Sequence, residues 1–455
     1  MKTGNDITQK HLWQGEWVDG ETLDRLLPTL PDLLSGYDNL PDCTLDILLP
    51  ACRLLLERLA GERGSEMLEV LIRQGLDEKE ARSVLDDVTG FARPENILEK
   101  ISRELGSEKP WVPVRPSDGH PCFEAWKPLG VLVHITPSNA LSVAPMSVIE
   151  GLMAGNINIL KNSARNGLFA QHLLHLLADC DPSGTLKNYI FVLEISSADE
   201  EKMDLLYRIA DGISAWGGEE AMKAVREKTP SGVRFIEWGH KISFGYVTEQ
   251  AMDDPAVLRA FAHDICIIDQ QACSSPQSIL VETASNETLN RFAGNLYKML
   301  GEVSPTIPGK TPSPSEQAEI TTRIHLHRAE AAAGNGKIYG ETDAPFHVLA
   351  DYRPGLSPSP LYRTVWVHPI RREEIGAVLR PMNIYLQTCG LACMETEAEE
   401  LCHRLTRAGV IRITEPGRQL ENYTGAPHDA VYALQRFSKR VSYRLGNHFR
   451  KQNSF

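Results

Sequence analysis

Residues 130–163 read "GVLVHITPSNALSVAPMSVIEGLMAGNINILKNS". The apolar run GVLVHITP (130–137) has the length of a buried strand. ALSVAPMSVIEGLMAGN (140–156) carries helical spacing and stops at Gly155. INILKNS (157–163) is a second apolar strand. Strand, helix, strand in this order is a βαβ unit with two parallel strands, since a crossover helix returns the chain to the same edge. The rhythm continues downstream. NGLFAQHLLHLLADCDP (166–182), ADEEKMDLLYRIADG (198–212) and EEAMKAVREKTP (219–230) read as helices. YIFVLEIS (189–196), ISAWGG (213–218), VRFIEWG (233–239) and KISFGYVTE (241–249) read as strands. Such alternation predicts a doubly wound parallel sheet, whose ligands sit at the carboxyl ends of its strands.

Beyond AVLRAFAHDICIIDQQACSSPQSILVE (256–282) the pattern restarts. Helices follow at 287–303 and 395–410, and strands at 364–370 and 382–390. Pro/Ser-rich loops lie at 303–317 and 353–360. This predicts a second α/β domain over 262–424, after a first over 107–261. Residues 1–106 differ. LWQGEWVDGE (12–21) reads as a hairpin with its turn at Gly15–Glu16. Four segments between 45 and 106 then carry apolar residues at i, i+3, i+4 spacing. These helices either form a bundle of their own or pack on the sheet that follows. HLH (325–327) alternates like a strand with surface histidines.

Composition removes several classes. The chain has 455 residues, 42% hydrophobic, with a net charge of −13. An acidic surface of this kind repels nucleic acid and anionic lipid. The first residues lack the apolar core of a secretion signal, and no apolar run is long enough to span a bilayer. Nine cysteines at irregular spacing form neither a disulfide framework nor a zinc motif, so a reducing cytoplasm and no bound metal are expected.

One cysteine stands apart. DQQACSSPQS (269–278) sets Cys273 among amides and hydroxyls, whereas Cys266 lies in the apolar run ICII. Polar flanks suit a thiolate at a cleft edge, where backbone N–H groups favour the charged form. Cys266 suits a core.

Five segments together extend this reading: HITPSNAL (134–141), NILKNSARN (158–166), AWGGEEAM (215–222), FIEWGHKISF (235–244) and HDICIIDQQACSSPQ (263–277). They resemble, in order, the aldehyde dehydrogenase superfamily, and most of all its acyl-CoA reductase branch, the fatty acid reductases of bacterial luminescence. The likeness runs over about 110–290 and weakens toward both termini. It implies an α/β fold with a doubly wound cofactor domain, a second α/β catalytic domain and a helical N-terminal region. GAPHDAVYALQRFSKRVSY (425–443) is similar to that family's C-terminal return segment, here 425–455.

The resemblance also implies roles. Cys273 is the nucleophile. Asn139 and the Cys273 backbone N–H hold the oxyanion of the tetrahedral intermediate. Glu237 occupies the position that activates water in oxidising members. In a reductase it would instead handle protons of thiol release, and His240 replaces a glycine of that motif. Thr136, Pro137, Lys161, Ser163, Arg165, Gly217 and Gly218 fall where the superfamily holds a nicotinamide cofactor. Ala164 stands where NAD-specific members often carry a glutamate. With Lys161 and Arg165 nearby, this favours NADPH. Gln270 and Gln271 take the places of a Gly-Gln pair. His263 and Asp264 are expected to fix the loop, and His428 to be structural. The expected substrate is an acyl-CoA or another acyl thioester, with an acyl-protein synthetase as candidate partner and a homo-oligomer as assembly. The expected activity is NADPH-dependent reduction of a fatty acyl thioester to an aldehyde through an acyl-Cys273 intermediate. Two alternatives stay open: an aldehyde dehydrogenase that makes free acid, and a non-redox acyl-accepting protein.

Overall fold

A computed structural model describes residues 9–40, 45–137 and 141–444. It divides into two compact units, one comprising 1–239 and 423–455, the other 240–422.

In the first unit, strands β1 (Gln9–Trp13) and β2 (Glu16–Asp19) form the N-terminal hairpin. Its turn is Gln14–Gly15, both with positive φ (49° and 70°), one residue earlier than expected. Two consecutive left-handed residues match the twist of the flanking strands. β3 (Phe123–Pro128) leads into β4 (Val131–Ile135), β5 (Ile157–Asn162), β6 (Ile190–Glu194), β7 (Gly212–Trp216) and β8 (Arg234–Trp238). Among the described residues the sheet order is β2-β1-β6-β5-β4-β7-β8, with β4 to β8 parallel. β5 is buried along its whole length, as a strand covered on both faces must be.

The N-terminal helices Leu45–Leu59, Glu62–Arg73, Glu78–Phe91 and Pro94–Leu105 belong to this sheet's core. Leu48, Leu55, Met67, Leu85 and Ile97 form one apolar cluster with Leu132, Ile159 and Leu173. They pack on the sheet and do not form a separate bundle.

The second unit begins earlier than the expected boundary near 262. β9 (Ile242–Val247) pairs in parallel with both β10 (Pro276–Glu282) and β14 (Leu386–Ala392), inside a second sheet. β11 (Gly336–Tyr339), β12 (His347–Asp351), β13 (Thr364–Ile370) and β15 (Arg412–Thr414) complete the order β11-β12-β13-β10-β9-β14-β15. Helix Pro255–Cys266 packs its Phe261, Ile265 and Cys266 into this unit's core with Leu296 and Leu300. A strand joins whichever sheet buries both its faces, so the run after Gly239 belongs to the second unit.

Residues 325–327 are not a strand. They lie in helix Pro314–Ala332, which opens with a Ser313/Glu316 capping box. Ile320, Ile324 and His327 form its buried face at helical spacing, and His327 Nε2 donates to the Ala350 carbonyl (3.0 Å). Local alternation lost to helical periodicity over nineteen residues.

The C-terminal segment rejoins the first unit, where β16 (Ser438–Tyr443) pairs antiparallel with β3. A buried cluster anchors it. Glu104 accepts from Leu434 N (2.8 Å) and pairs with Lys100 (2.5 Å), which also meets Glu150 (2.9 Å). Among the described residues no helix is long and apolar enough to cross a membrane.

Candidate functional site

In the first unit the chain builds β4, β5 and β6 in one direction, then crosses to β7 and β8 on the other side of β4. The reversal lies between β4 and β7, the place where open α/β sheets bind ligands. Thr136 and Pro137 follow β4, and Gly217 and Gly218 follow β7. Lys161, near the end of β5, is in register with Ile135 of β4. The cofactor residues expected from sequence thus stand along one carboxyl edge.

The chemistry of that edge is specific. Lys161 is buried and donates to Ser197 Oγ at 2.8 Å. Burial holds its ammonium below the ordinary lysine value, and among the described residues no carboxylate pairs with it. The Thr136 hydroxyl is buried with no partner among the described residues. A buried cation without a paired carboxylate and a buried hydroxyl with no such partner, both at strand ends, fit a phosphate-bearing dinucleotide. Ser163 Oγ donates to Asn166 Oδ1 (3.0 Å), and Arg165 is exposed in the turn after β5. Gly218 caps helix Glu219–Lys228 with open space where a side chain would stand. The first turn of that helix, however, already holds two acids, Glu219 and Glu220.

Glu237, on β8, is 37% exposed and ion-paired with Arg226 of the same helix. Trp216 and Trp238 stack at 5.2 Å where β7 and β8 end, and His428 packs edge-on against Trp216 at 4.9 Å. His428 is therefore a packing residue of the first unit, on a turn with Asp429 and Ala430 at positive φ. Asn139 lies outside the described residues.

In the second unit, Cys273 is exposed on the loop entering β10. It stands at the amino ends of β9, β10 and β14, the opposite edge from the general rule for such sheets. Two contacts fix it. Ser243 Oγ donates to the Cys273 carbonyl (2.6 Å) while accepting from Thr388 N (3.0 Å). The Gln387 amide nitrogen lies 3.3 Å from Cys273 Sγ. Gln419 supports the next residue, donating to the carbonyls of Ser274 (3.2 Å) and Phe244 (3.3 Å). Asp264 in turn accepts from Gly417 N at 2.6 Å, so it fixes the loop structurally. Burial pushes its carboxyl up to about 7. Cys266 is fully buried with its thiol pushed up to about 11, an inert core position. Gln270 is buried and donates to the Pro276 carbonyl (2.8 Å), whereas Gln271 is exposed.

Sequence reading missed what holds this loop from behind. Ile268, Asp269 and Gln270 have φ of 42°, 51° and 63°. Leu361, Tyr362 and Arg363 have φ of 65°, 49° and 59°. Two left-handed stretches of non-glycine residues thus interlock: Tyr362 N donates to the Asp269 carbonyl (3.0 Å), and Arg363 Nε donates to Asp269 Oδ1 (2.6 Å). Both side chains are buried. The Pro/Ser loop at 353–360 is part of the same clasp, through Ser357 O to Ser278 Oγ (2.7 Å) and Ser359 N to Gln277 Oε1 (3.0 Å).

A family model described as acyl-CoA reductase (LuxC) matches residues 44–440. The long-chain acyl-protein thioester reductase of Aliivibrio fischeri is 28% identical over 326 residues, which cover 71% of this chain and 65% of that one. The Vibrio harveyi protein of the same name is 27% identical over 356 residues, 76% of this chain and 70% of its own. The match therefore spans less than two thirds of the Aliivibrio protein. Among solved structures, aldehyde dehydrogenase C from Pseudomonas syringae, complexed with NAD+ and octanal, superposes with a TM-score of 0.71 at 13% identity. The likeness covers 97% of each chain. Glyceraldehyde-3-phosphate dehydrogenase GapN from Methanocaldococcus jannaschii, complexed with NADP, gives 0.69 at 15%, covering 97% of this chain and 99% of that one. The fold is that of the aldehyde dehydrogenases.

Breaking the clasp should be expensive. Asp269→Asn leaves Arg363 buried without its anion, and should lower unfolding free energy by about 3 kcal/mol. Asp269→Leu with Arg363→Met should lose less than the sum of the two single changes in denaturant titration. Additive losses would show that the pair is not the link.

Proposed function

The chain belongs to the acyl-CoA reductase (LuxC) family, and from that premise we propose that it reduces a fatty acyl thioester to an aldehyde with NADPH. The observation that carries this reading is Cys273: an exposed thiol on a loop whose backbone and sulfur are both held by hydrogen bonds. In this reading the Cys273 thiolate attacks the thioester carbonyl of an acyl-CoA or acyl-protein donor. A carbon–sulfur bond forms to Sγ and the donor's carbon–sulfur bond breaks, the donor leaving as a thiol with a proton. Asn139 and the Cys273 backbone N–H are the proposed donors to the developing oxyanion. The first unit holds the cofactor through Thr136, Pro137, Lys161, Ser163, Arg165, Gly217 and Gly218. Reduced nicotinamide, when bound, supplies the hydride that turns the carried acyl group into an aldehyde. Cys273 then leaves as thiolate, ready for another acyl group.

Two features favour reduction with NADPH over oxidation to an acid. The Glu237 carboxylate pairs with Arg226, a contact that competes with a role as base for water. Among the described residues Lys161 is a buried cation paired with no carboxylate, and position 164 is alanine, so that position sets no negative charge against a 2′-phosphate.

Cys273→Ser should lower acyl-CoA-dependent NADPH oxidation at least about a thousandfold, since a serine hydroxyl without a base is a poor nucleophile. Retained turnover would exclude Cys273 as the nucleophile. Lys161→Ala should raise the KM for NADPH about ten- to a hundredfold, the worth of one charged hydrogen bond, and that for NADH less. Equal weakening of both cofactors would mean that Lys161 does not read the 2′-phosphate.

A further inference from the structure

Gln387 is the second residue of β14, and its side chain is nearly all buried. The strand around it is tied on both sides. Its carbonyl accepts from Ile411 N (3.2 Å), and its neighbour Thr388 N donates to Ser243 Oγ (3.0 Å). Ser243 Oγ then donates to the Cys273 carbonyl (2.6 Å). Thus one strand reaches Cys273 twice: through Ser243 to its backbone, and through the Gln387 amide to its sulfur at 3.3 Å. A side chain fixed by such a frame loses little freedom when it donates.

We infer that Gln387 is a catalytic residue, whose carboxamide N–H holds the Cys273 sulfur in its thiolate form. The assignment rests on the reading of Cys273 as nucleophile and names the group that activates it. A thiolate accepts a hydrogen bond far better than a thiol does, so a fixed donor favours the charged form. An uncharged amide does this without neutralising the nucleophile in an ion pair. The same contact serves twice in the cycle. Before attack it keeps the sulfur deprotonated. After hydride delivery the bond between carbon and Sγ breaks, its electron pair returns to sulfur, and the amide again meets the charge. Gln387 gives up no proton in either step.

The test is the pH dependence of Cys273 alkylation by iodoacetamide, with the labelled peptide identified by mass spectrometry. The protein is compared with Gln387→Leu and Gln387→Glu, and Cys273→Ser serves as the blank. Gln387→Leu should move the inflection of the rate up by about one pH unit, the worth of one charge-assisted bond. Gln387→Glu, nearly the same shape, should move it at least as far by placing a carboxylate against the thiolate. A merely structural glutamine would leave the inflection of Gln387→Leu in place. If Gln387→Leu does not fold, Gln387→Met, uncharged and close in size, takes its place. An unmoved inflection in a variant with the parent's melting temperature overturns the assignment. Alkylation needs neither acyl donor nor cofactor, so this outcome is separate from that of the reductase reading, which fails if the parent protein forms no acyl-Cys273.

Discussion

The buried contact between Asp269 and Arg363 is the constraint on which the reactive loop depends. Six non-glycine residues, 268–270 and 361–363, lie in the left-handed region, where each costs on the order of 1 kcal/mol. Such geometry persists only if its surroundings over-determine it. They do so here. Besides Asp269, Arg363 meets the Ser304 carbonyl (3.0 Å), Ser304 Oγ (2.6 Å) and the Ile307 carbonyl (2.9 Å). The second Asp269 oxygen accepts from Lys310 N at 2.6 Å. A buried ion pair is tolerable when its remaining hydrogen-bonding capacity is filled in this way. The outcome is a loop that can expose a thiol without itself being loose. Gly309 belongs to the same clasp, since a Cβ there would come within 2.8 Å of the Arg363 guanidinium.

The two units use opposite edges of similar sheets. The first presents its strands' carboxyl ends, where a buried lysine and a threonine hydroxyl without a partner among the described residues suit a phosphate. The second presents amino ends, where Ser243, Pro276 and Gln387 lie in the first two residues of their strands around Cys273. Parallel sheets leave unpaired backbone groups at both edges, and loops decide which edge carries chemistry. Cofactor binding and acyl transfer also need different electrostatics. A buried cation suits the first, and neutral hydrogen-bond donors suit a thiolate. In the proposed reading, placing them in separate units would let one chain supply both environments.

Much of this was legible in the sequence. Apolar strands alternating with helices from 130 to 239 gave the first sheet its order of elements, because fully buried parallel strands have no periodicity to misread. Cys273 was distinguishable from Cys266 by its polar neighbours, and the structure leaves one exposed and the other buried. Less was legible where tertiary contacts decide. KISFGYV reads as the last strand of the first domain, yet it completes the second sheet. HLH reads as a strand, yet nineteen residues of helix contain it. Gln387 and Arg363 could not be found locally, since they lie 114 and 94 residues from their partners Cys273 and Asp269. The triplets IDQ and LYR contain no glycine to signal left-handed backbone.

In the proposed cycle Cys273 carries the acyl group and gives it up as an aldehyde. Intact-protein and peptide mass spectrometry after incubation with a fatty acyl-CoA, with and without NADPH, tests it directly. One acyl group per chain should appear on Cys273 and disappear when NADPH is added, while fatty aldehyde forms in equal amount. An adduct on another residue, or an acyl-Cys273 that NADPH leaves intact and water releases as free acid, would contradict it.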